Sequence, residues 1–204
     1  MLPHGLKEER TQHASPCHPF TPSPLHLVTP CSPTLPASAA NKSIPPVIAV
    51  FSEPTDRQEE YSRNPKWRAF IASELVPAVD KRFHTFPTPD HRVILGSSLA
   101  AYGAVDLSVA APSVFGLCAA IAPPDQTASL IENQANAKAV AVSIKFFVLG
   151  GVYDSMIGGA RLLRTTLDNY QAPVTYLEVS EGHNTNTFRG HLDDALKALL
   201  PTDS

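Results

Sequence analysis

Three side chains in this sequence of 204 residues could together break or form an acyl bond: Ser98, Asp154 and His183. A serine hydroxyl is a weak nucleophile until a neighbouring imidazole takes its proton. The imidazole in turn needs a carboxylate to fix its tautomer and stabilise its charged form. Each of the three follows a short apolar run of strand length: Arg92-Val-Ile-Leu95 before Ser98, Lys145-Phe-Phe-Val-Leu149 before Asp154, and Val174-Thr-Tyr-Leu-Glu-Val179 before His183. Strands of a parallel sheet end at one edge, so residues distant in sequence can converge there. In such a set Ser98 would attack an acyl carbon. His183 would accept its proton and return it to the leaving group, and Asp154 would orient the ring. Taken singly, the same residues read as a helix cap, a turn aspartate and a loop histidine.

The stretch Asp90 to Ala111 must position the serine. Gly96-Ser97-Ser98-Leu99-Ala100 is a G-x-S-x-G turn with its last glycine replaced by alanine, set between the strand and a helix. That geometry lifts Ser98 Oγ to the carboxyl end of the sheet and puts the Leu99 N–H, at the helix start, where an oxyanion would form. On this stretch alone, a plain strand-turn-helix with Ser98 as cap is an equal reading.

Strands and helices alternate through the rest. Val47-Ile-Ala-Val-Phe51 reads as a parallel strand covered on both faces. A polar loop, Ser52 to Asn64, follows it at the ligand-facing edge. A helix is expected from Pro65, with Trp67, Phe70, Ile71, Leu75, Val79 and Phe83 as its apolar stripe and a kink or break at Pro77. Further strands are expected at Val114–Ile121, Lys145–Leu149 and Val174–Val179, and helices at about 159–170 and 187–200. The implied architecture is α/β: a mostly parallel sheet with helices on both faces.

Residues 1–43 differ from everything after them. The first forty hold eight of the chain's 20 prolines and show neither helical nor strand periodicity. They read as a disordered leader to a domain spanning 44–204. Cys17, His18, His26 and Cys31 match no zinc-ligand spacing, so neither a metal nor a cofactor is expected. A net charge of -3 offers no basic stripe for nucleic acid. The absence of an apolar run of about 18 residues argues against a membrane span. With no clear signal peptide, the expected compartment is the cytoplasm.

From about Ile44 to Pro201 the sequence resembles the esterase D-like family of α/β-hydrolases, especially the branch containing enterochelin esterase. The matching stretches are Ile44-Pro-Pro-Val-Ile-Ala-Val50, Asp56-Arg57 with Glu60-Tyr61, Glu74-Leu-Val-Pro-Ala-Val79, Arg92 through Leu99, Pro112-Ser-Val-Phe-Gly116, Gly151-Val-Tyr-Asp154, and Glu181-Gly-His183 with Arg189. The chain order serine, aspartate, histidine is that of α/β-hydrolases and differs from the chymotrypsin and subtilisin orders. The resemblance implies a serine esterase in which Ser98, Asp154 and His183 match nucleophile, acid and base. The family usually has two glycines after the leucine of the turn, where this chain has Ala100-Ala101. Family members also carry strands ahead of Val47, and a loop after one of them donates an oxyanion N–H; here the only glycine before Gly96 is Gly5.

These readings lead to a small-molecule carboxylic ester as substrate, of siderophore type on the resemblance, with low activity. Arg57, Arg63 and Tyr61 are the candidate substrate-binding residues, and Arg68 is a third arginine able to face an anion. An unpaired edge near Val47 would favour self-association. The competing reading is an inactive remnant or interaction protein that keeps the sheet. An acyltransferase, which uses the same triad with an alcohol as acceptor, is the third.

Overall fold

The computed structural model describes residues 26–28 and 43–200. Four strands, β3 (Val93–Ser97), β4 (Leu117–Ile121), β5 (Lys145–Gly151) and β6 (Val174–Val179), form one parallel sheet in the order β3-β4-β5-β6. Consecutive strands are neighbours throughout, with Val93 opposite Leu117, Leu117 opposite Lys145 and Phe146 opposite Val174. The two inner strands are the most apolar: β4 is buried along its whole length and β5 is buried from Phe146 to Gly151. That is the pattern of strands covered on both faces.

Helices cover the two faces as the alternation requires. On one side α4 (Leu99–Ala110) and α7 (Ile157–Asn169) pack Ala101, Val105, Leu163 and Leu167 onto Cys118, Phe146 and Val148. The short helices α5 (Ser129–Glu132) and α6 (Ala137–Val142) complete that side with Leu130, Ile131 and Ala141. On the other side α9 (Leu192–Leu199), preceded by α8 (Thr185–Gly190), sets Ala195 and Leu199 against Ala119, Phe147 and Leu149.

Three expectations from sequence are corrected here. The run at Val47 does not join the parallel sheet: β2 (Ala49–Phe51) pairs antiparallel with β1 (His26–Val28), as a separate two-stranded sheet. Its Phe51 is 55% exposed, so it is not covered on both faces. Among the described residues the terminal strands of the parallel sheet are β3, where Leu95 is 38% exposed, and β6. Apart from β1 and Ser43, the 1–43 leader, with its Cys17, His18 and Cys31, lies outside the described residues.

Pro77 does not end its helix but sits where the helix changes pitch. After α1 (Arg57–Glu60), α2 (Pro65–Ala69) widens into a π-helical stretch, Phe70–Leu75, and tightens again into α3 (Val76–Arg82). The ladder changes pitch where the proline lacks its N–H, so the missing donor falls at the switch. The C-terminal helix is two helices, parted at His191 after Gly190, a residue with low helix propensity.

One buried ion pair ties α2 to α4. Arg68 grips Asp106 with two guanidinium donors, Nε at 2.7 Å from Oδ2 and a second to Oδ1. The Asp106 side chain is almost fully buried. Removing one partner of such a pair typically costs about 3–5 kcal/mol, because the other charge is stranded. Around it Trp67, Phe70, Ile71 and Leu75 pack with Leu107 and Phe115, and Val50 of β2 and Ile94 of β3 pack against the same cluster. Among the described residues, no helix is long and apolar enough to cross a membrane.

Candidate active site

Ser98 sits in the strained turn that the sequence demands. Its φ of 56° and ψ of -127° lie outside the regions that L-residues favour. The turn is held by Ser98 N–H donating to the Ile121 carbonyl at 2.9 Å, and by Ala101 N–H donating back to the Ser98 carbonyl at 2.9 Å. Gly96 is required rather than tolerated, since a Cβ there would collide with the carbonyl of Ala100. Ala100 instead lines a cleft, which is why alanine fits where the family has glycine. As the first residue of α4, Leu99 presents a backbone N–H with no acceptor inside the helix.

The other two residues reach the serine from neighbouring strand ends. His183 Nε2 stands 2.9 Å from Ser98 Oγ, and His183 Nδ1 stands 2.7 Å from Asp154 Oδ2. The Asp154 side chain is wholly buried, whereas His183 is one-third exposed. The second carboxylate oxygen of Asp154 accepts the Met156 N–H at 2.8 Å, so the carboxylate is fixed at both ends. Withdrawn from water, its charge acts on the imidazole with little screening.

A second set of contacts holds the histidine segment. The Glu181 carbonyl accepts the Tyr153 N–H at 3.0 Å. Gly151 leaves room for that carbonyl, which a Cβ at 151 would strike. The buried Thr187 hydroxyl donates to the Gly182 carbonyl, and the Phe188 ring meets His183 edge-on with centroids 5.1 Å apart. The chain at either side of His183 is thus tied to the loop bearing Asp154 and to α8.

Beside the serine lies a cleft of about 420 Å³ lined by Glu53, Pro54, Thr55, Arg57, Tyr61, Ser97 and Ala100. Arg57 and Tyr61 are thus placed where a ligand could meet them. Arg63 is not among the lining residues; it is exposed, with φ 63°, in the turn before α2. Arg68 is committed to Asp106. Tyr61 lies near Gly103 of α4 and edge-on to Trp67, and burial, with Glu60 adding to it, raises its phenol above the ordinary range. The phenol stays protonated and can donate.

Sequence reasoning passed over two supports. Glu60 is buried and accepts the Thr55 and Asp56 N–H groups, which shapes the cleft's loop. Asp106 is the one acidic residue in an otherwise apolar helix. A lone carboxylate there asks for a basic partner, and Arg68 was at hand on the preceding helix. Cys118 is no rival nucleophile, because burial pushes its thiol up to about 12. Among the described residues, no cluster of three or more His, Cys, Asp or Glu could hold a metal.

Residues 28–186 match the family Esterase, described as "Putative esterase". No curated protein matches the sequence. Among solved structures, the enterobactin esterase of Shigella flexneri aligns with a TM-score of 0.70 at 21% identity, over 80% of this chain and 46% of that one. The ferric enterobactin esterase of Salmonella typhimurium gives 0.69 at 18% identity, over 80% and 44%. The fluorophosphonate-binding serine hydrolase F of Staphylococcus aureus gives 0.61 at 13%, over 74% and 71%. A ferulic acid esterase gives 0.60 at 18%, over 66% and 60%. The chain therefore shares the α/β-hydrolase-like fold of these proteins while spanning less than half the length of the enterobactin esterases.

Proposed function

The chain belongs to the Esterase family, and on that premise we propose that it is a serine hydrolase that cleaves carboxylic esters through an acyl-enzyme. What carries the reading is the chain of contacts from Ser98 Oγ to His183 Nε2 at 2.9 Å and from His183 Nδ1 to buried Asp154 at 2.7 Å. Ser98 attacks the ester carbonyl while His183 takes its proton. The Leu99 N–H meets the oxyanion, His183 protonates the departing alcohol, and a water activated by the same imidazole releases the acid. A site served by the Leu99 N–H alone would turn over about 10²–10³ more slowly than one with two backbone donors.

The direct test is labelling of the intact chain with a fluorophosphonate probe, followed by peptide mass spectrometry. Covalent label on Ser98 is the expected result. A folded chain that takes no label would favour the reading that the fold persists without its chemistry.

The acyl group would lie in the cleft with Arg57 and Tyr61, which suits an anionic or phenolic ester such as a siderophore-type ester. Arg57→Ala should raise the KM for a carboxylate-bearing ester several-fold, by about 1 kcal/mol of lost charge-assisted contact, and leave a neutral ester of equal size unchanged. Equal effects on both would remove Arg57 from substrate recognition.

A further inference from the structure

We propose that His191 is a positioning residue for His183: its ring, set between Glu181 and Asp194, clamps the segment that presents the base to Ser98. This rests on the reading of Ser98, Asp154 and His183 as the reacting set.

His191 stands in the break between α8 and α9 and is mostly buried, at 19% exposure. Its Nδ1 lies 2.7 Å from Asp194 Oδ2, and its Nε2 lies 3.5 Å from Glu181 Oε1. Glu181 has its other carboxylate oxygen, Oε2, buried with no hydrogen-bond partner. Among the described residues, His191 is the one basic side chain within ion-pair distance of Glu181. A carboxylate oxygen taken from water without a donor is costly, and a cation beside it offsets that cost.

A neutral imidazole carries one N–H and can serve only one of the two carboxylates; the imidazolium serves both. The groups that face His191 are Glu181, from the loop after β6, and Asp194, on its own helix. Asp193 on that helix is within 3.6 Å of Lys197. Glu181 passes the restraint on, because its carbonyl holds the Tyr153 N–H next to Asp154 and His183 is two residues further along. A displacement of the base by about 1 Å can cost on the order of 10² in rate, so a modest loosening is visible.

The experiment uses the intact chain and two readouts. One is the rate of fluorophosphonate labelling of Ser98 from acid to alkaline pH, and the other is hydrogen exchange of the Tyr153 amide. His191→Gln should label about tenfold more slowly than the unaltered chain at neutral pH and exchange faster at Tyr153. His191→Arg supplies donors for both carboxylates; it should restore rate and protection. Labelling and exchange both indifferent to His191→Gln would overturn the clamp, as would a loss that His191→Arg does not rescue. A chain that never labels, but whose Tyr153 exchange still responds to His191, would refute the hydrolase reading and leave the clamp standing.

Discussion

Ser98→Ala and His183→Ala should each reduce ester turnover by roughly 10⁴–10⁶, and the double variant should be no worse than either alone. The reason lies in the 2.9 Å contact between Ser98 Oγ and His183 Nε2. Without the imidazole the hydroxyl keeps its proton and is scarcely more nucleophilic than water; without the hydroxyl the imidazole has nothing to activate. The two act as one unit, so removing either removes the covalent route. Ester hydrolysis by purified single and double variants would check this, with circular dichroism to show that each remains folded. Additive losses, or a Ser98→Ala protein that keeps most of its turnover, would mean that hydrolysis takes place elsewhere.

Asp154→Asn carries the next largest effect, a fall of about 10⁴ with the fold intact. Asparagine has the size of aspartate, and its amide oxygen can still accept the Met156 N–H that Asp154 accepts at 2.8 Å. The amide nitrogen is then left facing His183 Nδ1, where Asp154 Oδ2 now stands at 2.7 Å. A donor there forces Nδ1 to be the acceptor and puts the ring proton on Nε2, toward Ser98, where it blocks proton transfer. The variant should therefore melt close to the unaltered chain while labelling with fluorophosphonate very slowly at neutral pH. If Asp154→Asn kept its turnover within about tenfold, the carboxylate would be no more than a structural anchor.

The site was more legible in the sequence than the fold's margins. Ser98, Asp154 and His183 could be found because each follows an apolar run, and a parallel sheet brings the ends of such runs to one edge. Gly96 and the small residues after Ser98 marked the turn for a local steric reason that needs no tertiary information. The Val47 run was misplaced because a short apolar stretch states its burial preference but not its partner. Only the pairing of His26–Val28 with Ala49–Phe51 shows that β2 runs antiparallel and apart from the main sheet. Pro77 marked a disturbance of the helix in sequence, but not its form, a switch from π-helical to α-helical pitch. Arg57, Arg63 and Arg68 look alike in sequence, yet one lines the cleft, one faces solvent and one is spent on Asp106. Which fate each meets depends on the packing of α2 against α4.

The position of β3 as a terminal strand of the sheet has a consequence of another kind. Among the described residues the strand that carries the nucleophile hydrogen-bonds to one neighbour, β4, so in this sheet its backbone opens more readily than that of β4 or β5. The fraction of molecules ready to react at any instant is then governed by a local equilibrium rather than by the stability of the whole domain. Any strand that pairs with β3 would draw that equilibrium toward the closed form by mass action. It would act as an activator while touching neither the substrate nor the triad.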